Sequence, residues 1–325
     1  MKAAFRKQYC EPTENSGFAV RELNQPALSG DDDILLEVKF STISRSDAAV
    51  LTGKPFVMHF VCGLFKPRYP ITGTDFAGIV VSVGKNVKDV RERDALIGFH
   101  DSGCASHANY MVVKPSVKFV KASPDADLQK LAASVEGLHY ARNFLNKVKI
   151  DSGMRIMING GTGAIGSAAI QLLRALHSDI YIVATCKKED FELVKRQGAD
   201  RTIDYLNQDF TQDSERFDLV LDCVGKSRFG LSKNILKQNG TYISSELGPY
   251  WQNLYLPLFN VFRGGKKVVF PVPTGVTESL NLANELCSKG RFNPMVDRVI
   301  SIEDVVDGFA YVMSGEKKGV VLIKM

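Results

Sequence analysis

Residues 158–173 read INGGTGAIGSAAIQLL. An apolar run comes first, then four glycines in seven positions, then small and apolar residues with helical spacing. A glycine-rich turn between a strand and a helix is a natural anion site. The first amides of the helix have no intrahelical acceptor, and a backbone without Cβ atoms can approach a phosphate closely. The ligand of this turn depends on its details and on the rest of the chain.

A P-loop needs G-x-x-x-x-G-K-[ST], with the lysine reaching the terminal phosphates. Gly161 and Gly166 have that spacing, but Ser167 stands where the lysine is required. A short-chain dehydrogenase would place its turn near the N terminus with Y-x-x-x-K downstream. The one such pattern, Tyr110 to Lys114, lies upstream. The template that fits is G-x-G-x-x-G: Gly161, Thr162, Gly163, Ala164, Ile165 and Gly166. It admits a tight turn, close backbone approach to a pyrophosphate and close packing of helix on strand.

The surrounding chain supports this reading. From residue 155, strands (155–160, 179–186, 217–225, 241–246) alternate with helices (167–178, 189–199, 231–240). Short, continuously apolar strands separated by helices imply a parallel sheet covered on both faces. The first 120 or so residues are β-rich, with strands expected at 34–43, 76–84 and 108–115 and a helix at 125–148. A strand (266–272), a helix (277–290) and a closing strand (319–325) complete the chain.

At 325 residues there is material for two cores, and 45% hydrophobic with 24% charged residues is globular composition. The net charge of +5 comes from scattered residues, which argues against a nucleic-acid partner and mildly favours an anionic ligand. Six cysteines without a C-x-x-C spacing suggest free thiols in a reducing compartment. With no signal-peptide pattern and no run of about 20 apolar residues, a cytoplasmic protein without a transmembrane segment is expected.

The second strand of a dinucleotide site usually ends in an acid that binds the ribose hydroxyls of NAD. Here the corresponding stretch reads Thr185, Cys186, Lys187, Lys188. Hydroxyl and ammonium groups would attract a 2′-phosphate, so Thr185, Lys187 and Lys188 point to NADPH, with NADH as the alternative.

The stretches PITGTDFAGIVVSVGKNV (70–87), INGGTGAIGSAAIQLL, GADRTIDY (198–205), FDLVLDCVG (217–225) and KGVVLIKM (318–325) resemble the medium-chain dehydrogenase/reductase superfamily. Together they are most similar to its zinc-independent, quinone oxidoreductase-like branch. The resemblance implies an α/β chain with a GroES-like, β-rich catalytic domain from 1–124 and 271–325. A Rossmann domain with a doubly wound parallel sheet would occupy 125–270. It also implies a homodimer. Tyr205 would lie beside the adenosine phosphate, and Val224, Gly225, Ser244, Ser245 and Phe270 along the ribose and nicotinamide. Ser44 and Asp47 would occupy the region that holds the metal in zinc-containing relatives.

Those relatives carry Cys where this chain has Ser44, and His-Glu where it has Thr74 and Asp75. Only Cys104 falls within the stretch that matches their structural-zinc loop. No zinc is therefore expected. Hydride transfer from NADPH to a quinone or an α,β-unsaturated carbonyl compound needs none. The alternatives are an enoyl reductase, an alcohol dehydrogenase acting on another carbonyl compound, and a cofactor-binding protein with little catalysis. The chain departs from the branch at Arg93, where many members have glycine, and at Val320, where many have lysine.

No general acid stands out in the sequence. PFVMHFVCGLF (55–65), flanked by Lys54 and Lys66, is open to three readings: a lid over a greasy substrate, a peripheral contact with a membrane, or ordinary packing and dimerisation. Trp251, within SSELGPYWQN (244–253), is a candidate wall for a substrate.

Overall fold

The computed structural model describes residues 1–13, 15–262 and 265–325. It separates into two compact units: residues 1–136, 276–290 and 294–325, and residues 137–275 with 291–293. The boundaries differ from the expected domains mainly at 125–136 and 271–275. Residues 125–136 group with the first unit, as does the 276–288 helix, whose Asn284 accepts from the Ser123 backbone at 2.9 Å.

The first unit opens with an antiparallel pair, β1 (Lys2–Phe5) and β2 (Ala19–Glu22). β3 (Ile34–Ile43) follows, rich in β-branched and large apolar residues and largely buried. Next come α1 (Arg45–Thr52), α2 (Met58–Cys62), β4 (Asp75–Val83), β5 (Ala95–Phe99), β6 (Tyr110–Val113) and β7 (Lys118–Lys121). One turn answers a departure seen in the sequence. Arg93 has φ +71°, the left-handed conformation that glycine adopts without cost.

The helix α3 (Leu128–Leu145) leads into the second unit. There β8 (Met154–Asn159), α4 (Ala164–Leu176), β9 (Ile180–Cys186), α5 (Phe191–Arg196) and β10 (Arg201–Asp204) alternate. β11 (Phe217–Asp222), α6 (Phe229–Ser232), β12 (Leu236–Ser244), α7 (Gln252–Tyr255) and β13 (Lys267–Val269) complete the unit. All its strand pairs are parallel, in the order β10-β9-β8-β11-β12-β13. The chain builds outward from β8 in one direction and from β11 in the other. The switch point lies between the carboxyl ends of these two strands, where open α/β sheets bind ligands.

One expected element is corrected. Residues 231–240 do not form a helix: α6 stops at Ser232, and β12 already begins at Leu236. Leu236 pairs with Phe217, and both side chains are buried with Tyr242 in the core of this unit. Burying this pair outweighs the modest helix propensity of LSKNILKQ.

The chain then returns to the first unit with α8 (Val276–Ser288), β14 (Val296–Ser301), α9 (Val305–Ser314) and β15 (Val320–Lys324). β15 pairs antiparallel with β3 and parallel with β14, so the C terminus closes the sheet begun by the N-terminal third. The order is β14-β15-β3-β4-β5-β7, with β6 also on β3. α9 lies against this sheet, and Phe309 packs edge-to-face on Phe18 at 5.2 Å.

Candidate active site

The glycine turn joins β8 to α4, with Gly163 as the helix N-cap residue. Gly161 N donates to Thr185 O at 2.8 Å, and Gly163 N to Gly160 O at 3.0 Å, which fixes the turn. A Cβ on Gly166 would collide with the Gly160 carbonyl, and one on Gly161 would come within 3.0 Å of the Ala184 methyl. At Gly163 the nearest atom to such a Cβ is 3.4 Å away, so the turn is open there. Thr162, Gly163, Ala164 and Ile165 are all partly exposed. The first amides of α4 have no acceptor within the helix. This turn, partly exposed and headed by helix-terminal amides, fits a pyrophosphate.

Beneath it runs a buried chain of hydrogen bonds. Gly160 N donates to Thr185 Oγ1 at 2.8 Å, and Thr185 Oγ1 to Asn159 Oδ1 at 2.7 Å. Asn159 Nδ2 donates to Asp222 Oδ1 at 3.0 Å, across the switch point. Asp222 also accepts from Gly225 N (3.0 Å), Ser227 N (2.9 Å) and Tyr242 Oη (3.2 Å). One carboxylate thus ties β8, β11, β12 and the 223–227 loop together. The sequence reading missed Asn159 and Asp222. The signal was a polar residue closing each of two apolar strands, MRIMIN and FDLVLD.

The predicted cofactor residues fall along this edge in different roles. Thr185 is fully buried, and its hydroxyl is committed to Asn159 and Gly160. Lys187 and Lys188 follow the end of β9, and Tyr205, 47% exposed, follows the end of the neighbouring β10. Asp204 pairs with Cys186, so these three residues share one corner of the sheet. Val224 packs against Gly160, and Gly225 has φ +68° beside Glu246. Ser245 N donates to Asp222 O at 3.0 Å, and Ser244 Oγ accepts from Glu246 N at 3.3 Å. Phe270 follows β13 and is half-buried.

The first unit holds a polar cluster of its own. Ser44 caps α1: its Oγ donates to Asp47 Oδ2 at 2.8 Å and accepts from Asp47 N at 3.0 Å. Asp75 is fully buried, accepting from Thr42 N (2.8 Å), Thr42 Oγ1 (2.6 Å) and Ser41 Oγ (3.1 Å). Burial pushes Asp47 up to about 6 against the hydrogen bonds from Ser44. Burial, with the charge of Asp47, pushes Asp75 up to about 6. Glu136, on α3, is pushed up to about 8 by burial and by Asp47 and Asp75, against hydrogen bonds from Ser46 and Ser44. Burial lowers Lys317, while Glu136 and Asp297 act to raise it.

Glu136 is the acid that the sequence reading did not find. Its signal was a lone carboxylate in the apolar helical window LAASVEGLHYA. Lys317, which interacts with it, lies two residues before Gly319, so a lysine is present near the expected place but on the other side of that glycine.

The donor set does not fit zinc. Ser44, where zinc-containing relatives have Cys, and Asp75, which with Thr74 stands where they have His-Glu, are engaged in hydrogen bonds to their own neighbours. His107 is fully buried between Thr72 Oγ1 and Thr42 O, each at 2.8 Å, and burial lowers it to about 4. Among the described residues no group of three or more His, Cys, Asp or Glu is placed to hold a metal ion.

Comparison with known proteins agrees with both units. Residues 30–121 match the alcohol dehydrogenase GroES-like domain, and residues 197–323 match the family described as zinc-binding dehydrogenase. The chain is 29% identical to a 2-methylene-furan-3-one reductase of Solanum lycopersicum, over 90% of its own length and 72% of the relative's. It is 26% identical to a chloroplastic NADPH-dependent alkenal/one oxidoreductase of Arabidopsis thaliana, over 90% and 72%. A solved quinone oxidoreductase from Coxiella burnetii superposes with a TM-score of 0.85 at 22% identity, covering 100% of this chain and 99% of the other. With the GroES-like sheet, the parallel dinucleotide sheet and these relatives together, the chain is similar along most of its length to the NAD(P)H-dependent oxidoreductases of the medium-chain dehydrogenase/reductase superfamily, quinone oxidoreductase-like members among them.

Proposed function

We propose that this protein transfers hydride from NADPH to a quinone or an α,β-unsaturated carbonyl compound without a zinc ion, as a cytoplasmic homodimer. The observation that carries the reading is the fate of Ser44 and Asp75. At the positions of the metal ligands the chain has no thiol or imidazole, and the groups it does have are engaged with Asp47, Thr42 and Ser41. Oxidising a simple alcohol without a Lewis acid is difficult, whereas an electron-poor double bond or quinone accepts hydride directly. Lys187, Lys188 and Tyr205 at one corner of the sheet favour NADPH, and the names of the alkenal/one and furanone reductases point to the same acceptor class.

Bound in the turn, NADPH would supply the hydride. The protein's part would be to hold it. The Gly163–Gly166 backbone would take the pyrophosphate, and the Asp222 network would fix the loop carrying Val224 and Gly225 beneath the ribose. Glu136, protonated near neutral pH, is a candidate reserve for the proton that must follow hydride. An assay of NADPH oxidation with a panel of quinones and 2-alkenals, run with and without a chelator, tests the reading. Turnover unaffected by the chelator is expected. Cofactor binding without turnover of any acceptor would overturn it.

A further inference from the structure

The segment between Asp47 and Asp75 has an unusual balance. It contains no carboxylate, carries Lys54, Lys66 and Arg68, and includes PFVMHFVCGLF. Most of its large apolar side chains are in the open: Phe65 is 91% exposed and Phe56 and Phe60 each 67%, with Val57, Val61 and Leu64 also exposed. Soluble surfaces rarely gather so many large apolar groups without a partner.

The display is held from below. Tyr9 Oη donates to Gly63 O at 2.6 Å, His59 Nδ1 lies 3.0 Å from Leu64 O, and Cys62 is buried. The Tyr9 ring lies 4.3 Å from that of His59, which stacks on Phe56 at 5.3 Å. Phe56 in turn meets Phe60 edge-on at 5.7 Å. Polar tethers grip the inner side, and the aromatic edge faces out. Lys54, bridged to Glu11 at 2.6 Å, Lys66 and Arg68 are exposed on the same segment.

We infer that residues 54–68 form a docking surface for the headgroup and upper acyl region of an anionic lipid leaflet. Aromatic side chains inserted at the acyl boundary, with cations at the headgroups, give interfacial binding without a spanning helix. No helix among the described residues is long and apolar enough to cross a membrane. The charge pattern argues against a second copy as occupant. A two-fold contact would bring together two copies of a segment that has cations and no carboxylate of its own, whereas anionic headgroups complement Lys66 and Arg68. The vesicle arms of the test do not depend on the proposed redox reaction, because binding is read without turnover.

The test is flotation of the full chain with vesicles of phosphatidylcholine alone or with 30% phosphatidylglycerol, at low and high salt. The expected result is recovery with the anionic vesicles, reduced at least fivefold by high salt or by omitting the anionic lipid. Phe65→Asp with Phe60→Asp, and separately Lys66→Glu with Arg68→Glu, should each reduce recovery at least fivefold. Both pairs lie at exposed positions, so the melting temperature checks that the fold is kept. Wild-type protein that stays out of both vesicle types would overturn the inference. So would a dimer that the phenylalanine substitutions convert to monomer, which would make a second copy the occupant. A third contrary result is unchanged vesicle recovery with a raised KM for a water-soluble acceptor, which would make the segment a substrate lid.

Discussion

Asn159 Nδ2 donates to Asp222 Oδ1 at 3.0 Å, joining the carboxyl ends of the two strands between which the parallel sheet reverses its direction of growth. Asp222 is fully buried, and the same carboxylate holds Gly225 N and Ser227 N. Removing it leaves several buried donors without an acceptor, each costing about 1–3 kcal/mol. Asp222→Ala should therefore lower unfolding stability by about 3 kcal/mol or more and weaken NADPH binding through a loosened 223–227 loop. Urea unfolding and cofactor fluorescence titration check the two effects.

The glycines of the turn should separate into two classes. Gly166→Ala drives a methyl into the Gly160 carbonyl and should destabilise the dinucleotide unit by about 2 kcal/mol or more. Gly163→Ala meets nothing closer than 3.4 Å, so its melting temperature should stay near wild type. The added methyl would occupy the space a pyrophosphate needs, and affinity for NADPH should fall about tenfold or more. Thermal melts with and without cofactor distinguish the two outcomes.

Arg93 is held at φ +71°, a conformation that costs a non-glycine residue about 1 kcal/mol. Its backbone N donates to Val80 O at 2.9 Å, a bond glycine would keep. Arg93→Gly should leave stability unchanged or raise it by up to about 1 kcal/mol, with greater unfolded-state entropy opposing the relief of strain. Urea unfolding measures the balance.

Glu136 gives the folded state a distinctive pH dependence. Asp47 and Asp75, raised to about 6, finish titrating by near-neutral pH, and His107 and His139, lowered to about 4 by burial, are neutral there. Above about pH 7.5 the histidines that burial lowers (His100, His107 and His139) are neutral in the unfolded chain as well, whereas up to about pH 8 folded Glu136 still holds a proton that the unfolded chain has already released. Stability should therefore fall as pH rises through this window, by at most about 1.4 kcal/mol per unit. The nearby Lys317, lowered by burial, acts in the opposite sense where its own proton leaves. Glu136→Gln should flatten the slope, as measured by unfolding at several pH values.

Much of this architecture was legible in the sequence because local and global signals agreed. G-x-G-x-x-G between an apolar strand and a small-residue helix encodes the turn, and ILLEVKFSTI forms β3 over the full stretch expected. The reading failed where tertiary burial overrode local propensity, as at Leu236. Side-chain roles were harder to read, because a residue type does not disclose its partner. Thr185 looked available to a phosphate, yet its hydroxyl belongs to Asn159 and Gly160. Glu136, 89 residues from Asp47 and 61 from Asp75 in sequence, becomes an acid of interest only when folding gathers them.

Direct hydride transfer to an electron-poor double bond leaves the hydride on one carbon of the product. A single-turnover reaction of a 2-alkenal with NADPH deuterated at the transferring position of nicotinamide C4, in the presence of a chelator, tests it most directly. The expected product is the saturated aldehyde with deuterium on its β-carbon, formed at a rate unaffected by the chelator. Deuterium on the carbonyl carbon of an allylic alcohol, or loss of turnover in the chelator with recovery on adding zinc, would contradict it.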